Sequence, residues 1–231
     1  MTRKKVVLYN PKAVFYDMPL ALLAIGSMLD AAYYEVIIID GRVDDRPLEA
    51  VLEATEGALC FGVTSLTGNP LRDALQVTRA VRARHKNIPI IWGGWHTSLF
   101  AEETLRDEPA IDISVQGQGE GTFRELIACL ESGADLANVS GICYRTPKGE
   151  VVKNPGRALD DMNFLPRVNY DLIDVEKYFK AKKQRQFDYI SSAGCRFRCT
   201  FCADPFVYHR KWTAISATFS KLFSVPIQQE T

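Results

Sequence analysis

Three cysteines near the end of the chain have the spacing of a metal-binding loop. Cys195, Cys199 and Cys202 form the pattern Cys-x3-Cys-x2-Cys within eight residues. Three thiolates on one tight loop can each ligate one iron of a cubane cluster, which leaves the fourth iron without a protein ligand. An open coordination position distinguishes a catalytic metal site from a closed structural one. The pattern therefore predicts an iron–sulfur site that can bind a further ligand.

Zinc is the competing metal for the same loop. A structural zinc ion takes four ligands, and His209, seven residues after Cys202, could complete a Cys3His set. The spacing alone leaves both metals open. The other cysteines, Cys60, Cys129 and Cys143, lie in apolar stretches and are interpreted as small buried hydrophobic residues.

The cysteine loop resembles that of the radical S-adenosylmethionine (SAM) superfamily, because Gly194 precedes the first cysteine and Phe201 precedes the last. The resemblance implies a [4Fe–4S] cluster on the three cysteines, with SAM chelating the unique iron and Phe201 lying against its adenine. It also implies that one electron, from a donor such as flavodoxin or ferredoxin, cleaves SAM to a 5′-deoxyadenosyl radical.

A second set of candidate residues follows three predicted strands earlier in the chain. Glycines let a backbone approach a large flat ligand, and hydroxyl side chains can hydrogen-bond its polar groups. Ligands of open α/β sheets bind outside the carboxyl ends of the strands, so these segments are predicted to share one binding edge. The candidates are Ser65, Thr67, Gly93, Gly94, His96, Ser98, Gly117, Gly119, Glu120 and Thr122.

The part of the chain that carries these candidates lies ahead of the cysteine motif, and it resembles the cobalamin-binding domain of certain radical SAM enzymes. The similarity spans about residues 1–212 and includes segments 93–98 and 117–122. It implies cobalamin as a cofactor, a small-molecule substrate, and methyl transfer, or else ring formation or oxidation, at an unactivated carbon. The signature Asp-x-His-x2-Gly, which supplies histidine to cobalt, is absent, so we expect cobalamin without a protein axial ligand.

The elements that must position these residues follow from the hydrophobic pattern. Short β-rich runs alternate with helical patterns through the first 135 residues. The pattern predicts an α/β fold with a doubly wound, parallel five-stranded sheet of the Rossmann or flavodoxin-like cobalamin-binding type. The predicted strands are 5–9, 36–39, 58–63, 88–92 and 111–115, and the predicted helices are 19–32, 48–54, 70–84, 98–106 and 120–131.

The rest of the chain is predicted to change character. Residues 136–185 read as a β-hairpin, with strands at 141–145 and 150–152, followed by a charged linker with short helical turns. Residues 186–231 read as the start of a radical SAM (β/α) barrel, with a strand at 187–191, the cysteine loop and a helix at 215–223. The division is therefore 1–135, 136–185 and 186–231.

The barrel predicted in this way is incomplete. One strand cannot close a barrel, so we expect a truncated chain that is poorly packed over residues 186–231 and inactive alone. Two alternative functions stay open: a non-catalytic cobalamin-binding module, and a zinc-stabilised binding protein.

The composition of the chain excludes some classes of binding partner. Among 231 residues, 28 are Lys or Arg and 28 are Asp or Glu, which gives a formal net charge of zero. The sequence has no basic stripe of the kind that would indicate nucleic-acid binding. No segment approaches the roughly 20 apolar residues that a membrane span needs, and a cytoplasmic location is expected.

Overall fold

The computed structural model describes residues 2–216. Its main sheet has seven strands in the order β2-β1-β3-β4-β5-β6-β7. The first five are parallel, as predicted, and β6 and β7 are the antiparallel hairpin, which pairs with β5 and extends the same sheet. The strands are β1 Lys4–Asn10, β2 Tyr34–Asp40, β3 Cys60–Thr64, β4 Ile90–Gly93, β5 Ile113–Val115, β6 Ile142–Arg145 and β7 Val151–Lys153.

Helices cover both faces of this sheet, which confirms the doubly wound prediction. Alternation along β1 decides the faces: Val7 and Tyr9 belong to one buried cluster, whereas Val6 and Leu8 belong to the other. Helices α2, α3 and α5 pack on the first face, and α1 and α6 pack on the second. The helices are α1 Leu20–Gly26, α2 Pro47–Ala54, α3 Asn69–Arg84, α4 Trp95–Leu99, α5 Ala101–Asp107 and α6 Glu120–Ser132.

Strand β1 lies at the point where the strand order reverses. It pairs with β2 on one side and with β3 on the other, both in parallel register. The carboxyl ends of β3, β4 and β5 are therefore neighbours at one edge of the sheet. Ligands of doubly wound sheets bind outside this edge, so the predicted binding loops are brought together where the topology requires.

Two predicted helices differ from the observed ones. Helix α1 ends at Gly26 instead of residue 32. Within the rest of the predicted helix, the Asp30 side chain accepts the backbone N–H of Ala32 at 2.8 Å and stabilises a turn. The predicted helix 98–106 is two helices, since Phe100 has a non-helical backbone (φ −129°, ψ 49°) between α4 and α5.

The segment after the hairpin wraps back over the sheet. It contains short 3-10 turns at Met162–Phe164 and Tyr170–Leu172, and helix α7, Val175–Lys182. A small antiparallel sheet of β8, Ser192–Gly194, and β9, Trp212–Ala214, brackets helix α8, Asp204–Val207.

The predicted strand at 187–191 is wrong, because β8 begins at Ser192. The polar groups of Asp188 are used by side-chain contacts instead of a strand ladder: its carbonyl accepts from the Tyr170 hydroxyl at 2.9 Å, and its carboxylate pairs with Lys182. The predicted helix 215–223 lies almost entirely outside the described residues. The division at residues 135 and 185 stays a prediction.

Helix α7 is fixed to the sheet by a buried polar contact. The Tyr178 hydroxyl, 1% exposed as a residue, donates to Asp40 at the end of β2 at 2.7 Å. Asn10 donates to the same carboxylate at 2.9 Å. Burial raises the pKa of Asp40, and the hydrogen bonds from Tyr178 and Asn10 act against that rise.

Within residues 2–216, no helix combines the length and the apolar composition that crossing a bilayer requires.

Candidate functional site

A cavity of about 540 Å3 lies between the carboxyl edge of the sheet and the later part of the chain. The ends of β3, β4 and β5 and helix α1 form one wall. The opposite wall comes from residues 162–170, 189–194 and 204–208. Most lining side chains are apolar, as is typical of cofactor pockets in which a few polar groups fix orientation.

Gly94 shapes the sheet side of the cavity. It has φ 102° and ψ −163°, a backbone conformation that is essentially restricted to glycine. A Cβ atom there would lie 2.8 Å from the carbonyl oxygen of Ser65. The glycine pair after β4 thus lets the chain turn sharply into α4 directly beside the loop that follows β3.

The structure brings about half of the sequence-predicted residues to the cavity wall. Those that line it are Gly93, Gly94, Ser98, Gly117, Gly119 and Glu120. They come from the end of β4 and from the segments that follow β4 and β5, including the starts of α4 and α6, and these segments lie at one edge of the sheet.

The remaining predicted residues lie outside the cavity lining and make internal contacts. Ser65 donates to the carbonyl of Gly93 at 2.8 Å, which ties the two loops together. Thr122 is fully buried and accepts from Arg157 Nε at 2.9 Å.

Thr67 and His96 pair with each other on the outer side of the same edge. The Thr67 hydroxyl and His96 Nδ1 are 3.1 Å apart. Burial lowers the pKa of His96, which favours a neutral ring. Neither residue lines the cavity.

Glu120 is the acidic group of the cavity wall beside the sheet. It begins α6, and burial, with the nearby charge of Asp160 as a smaller cause, raises its pKa. Tyr208 also lines the cavity, and its pKa is raised by burial and then by the charges of Glu120 and Asp204. The largely apolar cavity therefore carries two neighbouring groups, Glu120 and Tyr208, that favour their protonated forms.

Residues that were not among the sequence-predicted candidates also line the cavity, on both of its walls. Trp95 packs edge-on against Tyr208, with ring centroids 6.0 Å apart at 80°. Helix α8 contacts α4, and Val207 is buried beside Gly117. Gln118 lines the cavity between two predicted glycines. The alternation of strands and helices gave no signal for the contacts of Trp95 and Gly117 with α8, because they join residues 113 and 90 positions apart.

The cysteine loop emerges directly beside this wall. Gly194 ends β8 with φ 80° and packs against the carbonyl of Lys211, so a side chain there would collide with backbone. Cys195 and Cys202 are partly buried, and Cys199 is exposed. Phe201 is 91% exposed and lies outside the cavity lining.

The three thiols share one loop but are not gathered into a ligand set. Across residues 2–216, no three His, Cys, Asp or Glu side chains lie close enough together to hold a metal ion. The donor chemistry suits an iron–sulfur cluster, and metal sites commonly assemble only as the metal binds. The remaining cysteines, Cys60, Cys129 and Cys143, are buried as predicted, and burial raises the pKa of Cys60 to about 12.

Comparison with known proteins identifies the front of the chain. Residues 6–127, just over half of its length, match the model of the B12 binding domain. An uncharacterized methyltransferase of Pyrococcus horikoshii, PH0819, is 31% identical over 197 residues, covering 84% of this chain and 42% of the relative. The anaerobic magnesium-protoporphyrin IX monomethyl ester cyclase of Synechocystis is 31% identical over 189 residues, covering 80% and 37%. The chain thus spans less than half the length of both relatives.

Solved structures show the same fold. The radical SAM methyltransferase TsrM from Kitasatospora setae, with cobalamin and a [4Fe–4S] cluster bound, matches with a TM-score of 0.73 at 20% identity, over 96% of this chain and 45% of TsrM. The cobalamin-dependent SAM radical enzyme OxsB, with aqua-cobalamin and SAM bound, matches with a TM-score of 0.77 at 23% identity, over 94% and 30%. Residues 6–127 match the family model, and the sheet is doubly wound with a glycine-lined edge. The chain therefore belongs to the B12-binding-domain family.

Proposed function

We propose that this chain binds cobalamin in the cavity and a [4Fe–4S] cluster with SAM on the cysteine loop, as part of a radical SAM enzyme. One observation carries the proposal: a single apolar cavity has the glycine loops of the sheet on one wall and the residues flanking the cysteine loop on the other. The expected reaction is methyl transfer to a small-molecule substrate, or else cyclisation or oxidation at an unactivated carbon.

The cavity suits cobalamin bound without a protein ligand to cobalt. None of its lining residues in the described chain is a histidine, and His96 is paired with Thr67 instead. Gly93, Gly94 and Gly117 leave backbone exposed to a large flat macrocycle, and the apolar side chains of α1 face it from the side. These features support cobalamin held by shape and by a few polar contacts.

The cysteine loop suits a cluster by its donor set. Cys195, Cys199 and Cys202 would hold three irons, and the cluster when bound would supply one electron to SAM. The exposed ring of Phe201 is available to lie against the adenine. An electron donor such as flavodoxin or ferredoxin and a cytoplasmic location belong to the same proposal.

A non-catalytic cobalamin-binding module is the second candidate. It is favoured by the dispersed thiols, because no metal-ligand set is assembled among residues 2–216. A zinc-stabilised binding protein would instead need Cys195, Cys199, Cys202 and His209 to converge around one ion.

Anaerobic reconstitution with iron and sulfide distinguishes these functions. The proposal predicts about four irons per chain with broad absorbance near ~400 nm. Cys199→Ser should lose the cluster, whereas Cys129→Ser, a buried cysteine outside the loop, should keep it. Hydroxocobalamin should stay bound through gel filtration in both variants.

Each result separates one function from the others. Cobalamin retention without iron uptake would leave the non-catalytic module, and one tightly bound zinc without iron uptake would indicate the zinc-stabilised protein. A wild-type chain that retains neither cofactor would overturn the proposal.

A further inference from the structure

A carboxamide in the cavity wall carries a nitrogen without a hydrogen-bond partner. Gln118 follows β5, lines the cavity and is 9% exposed. Its Oε1 accepts the backbone N–H of Asp160 at 2.6 Å. Because an N–H requires an acceptor, this contact fixes which end of the amide is oxygen. The other end, Nε2, is therefore a buried donor with unused capacity.

This unused donor is specific to the cavity. Three buried side-chain atoms within residues 2–216 lack a partner: His85 Nε2, Arg145 Nε and Gln118 Nε2. Of these residues, Gln118 alone lines the cavity. Buried polar groups are nearly always hydrogen-bonded, so an unpartnered donor beside a cavity is a candidate to bond a ligand there.

The hydroxyl of Ser98, another polar group of the cavity wall, already has hydrogen-bond partners. The Ser98 hydroxyl donates to the carbonyl of Gly94 at 2.7 Å and accepts the backbone N–H of Gly117 at 3.0 Å. In a largely apolar cavity, the few polar atoms with free capacity decide how a ligand is oriented. Gln118 Nε2 is such an atom, and as a donor it requires an oxygen acceptor.

Gln118 also contacts the segment that forms the opposite wall. We call residues 157–168 the strap. Met162, Leu165 and Val168 of the strap line the cavity, and Arg157 anchors its start by donating to Thr122 at 2.9 Å. A Cβ at Gly121 would lie 2.8 Å from Asp160 Oδ2, so the strap packs directly on the first turn of α6.

The geometry points to Gln118 as the residue that donates a hydrogen bond to an oxygen of the bound cofactor while its own oxygen holds the strap at Asp160. The inference rests on the proposed cobalamin site. The acceptor is a carbonyl oxygen of an amide side chain on the corrin or a phosphate oxygen of the nucleotide tail, and both are oxygen acceptors for an N–H donor. Because Nε2 is buried, the proposal includes a shift of the side chain toward the cavity as the cofactor binds.

Two substitutions separate the two ends of the amide. Gln118→Glu at pH 8 keeps an oxygen for Asp160 but replaces the donor with an acceptor. It should weaken hydroxocobalamin binding at least tenfold, about 1.4 kcal/mol, and leave hydrogen exchange of the Asp160 amide unchanged. Gln118→Met removes both ends, so binding should weaken similarly and the Asp160 amide should exchange faster in the free protein.

Gln76 provides the matched control. It is exposed on α3, outside the cavity lining, so Gln76→Glu and Gln76→Met should bind as the wild type does. Circular dichroism checks that every variant is folded. Repeating the titration with cobinamide, which lacks the nucleotide tail, locates the acceptor: a retained tenfold penalty places it on the ring, and a lost penalty places it on the tail.

The failures of the two proposals are distinguishable. If wild type binds hydroxocobalamin and both folded Gln118 variants bind it equally well, the role of Gln118 is overturned and the cavity assignment survives. If wild type itself does not bind hydroxocobalamin, the cobalamin site is overturned and this inference falls with it.

Discussion

At the residue scale, Gly94 is a position in the cavity wall where a side chain would meet backbone. Its backbone conformation is one that other residues rarely adopt, and a Cβ would lie 2.8 Å from Ser65 O. Gly94→Ala should therefore lower the free energy of unfolding by more than about 2 kcal/mol and weaken cobalamin binding. Urea denaturation followed by circular dichroism measures the first effect.

Gly149 is the control for this prediction. It also has a positive φ, 84°, but it lies in the hairpin turn with open space around the missing side chain. Gly149→Ala should cost about 1 kcal/mol, the backbone cost alone. Equal losses for the two variants would mean that the contact with Ser65 is relaxed without cost.

The same residues indicate how far the site could be predicted. Gly93, Gly94 and Gly117 were identifiable because a glycine after a buried strand has few structural explanations. Ser65 and Thr122 were chosen by the same logic, but their hydroxyls bind neighbouring backbone and Arg157, which only the three-dimensional packing decides. Gln118 lies within the recognisable segment 117–122, but nothing local distinguished its side chain or that of Tyr208, because their importance depends on a cavity built from distant chain segments.

At the element scale, helix α7 depends on one buried hydrogen bond. Tyr178→Phe removes a donor from the buried Asp40 carboxylate and should lower the free energy of unfolding by about 2 kcal/mol near neutral pH. Tyr33→Phe, at a residue that is 65% exposed, is the control and should change stability little. Urea denaturation of both variants at pH 5 and pH 8 gives the comparison.

The pH dependence of this effect has a defined sign. Burial raises the pKa of Asp40 in the folded protein, so the native state binds more protons than the unfolded chain and stability falls as pH rises through that interval. The Tyr178 hydrogen bond lowers this pKa, so its removal extends the interval upward. The loss in Tyr178→Phe should be larger at pH 8 than at pH 5, and an equal loss at both would contradict the assignment.

Element prediction succeeded where periodicity is local. The β-branched run of β2 and the apolar face of α3 fixed two elements within a few residues. It failed at residues 187–191, whose composition suits a strand but where the carbonyl and carboxylate of Asp188 bond Tyr170 and Lys182. The sequence also did not predict that the hairpin pairs with β5, because strand pairing is not encoded in either strand alone.

At the scale of the whole molecule, the cavity lies between the carboxyl edge of the sheet and the later part of the chain. A ligand bound there should therefore stabilise both together. Hydroxocobalamin at 100 times its dissociation constant should add about 2.7 kcal/mol to the free energy of unfolding. For a chain of this size that corresponds to a rise in Tm of roughly 5–10 °C. Calorimetry with and without the ligand measures the shift.

The Cys199→Ser variant serves as the comparison for that experiment. Cys199 lies on the cysteine loop and outside the cavity lining, so the variant should show the same rise in Tm as wild type. Binding by absorbance without any rise in Tm would mean that the ligand does not discriminate the folded from the unfolded chain.

The pairing of β8 with β9 has a consequence for how a metal would be captured. Gly194 and Trp212 are partners in this ladder, so the 17 residues between them form a loop whose ends already meet. Closing such a loop costs about 2.5 kcal/mol of chain entropy. Because β8 and β9 pair when the chain folds, this cost belongs to folding and is not added when a metal binds. The three thiols then need only local reorientation, so cluster assembly should be a fast, late event on a folded chain.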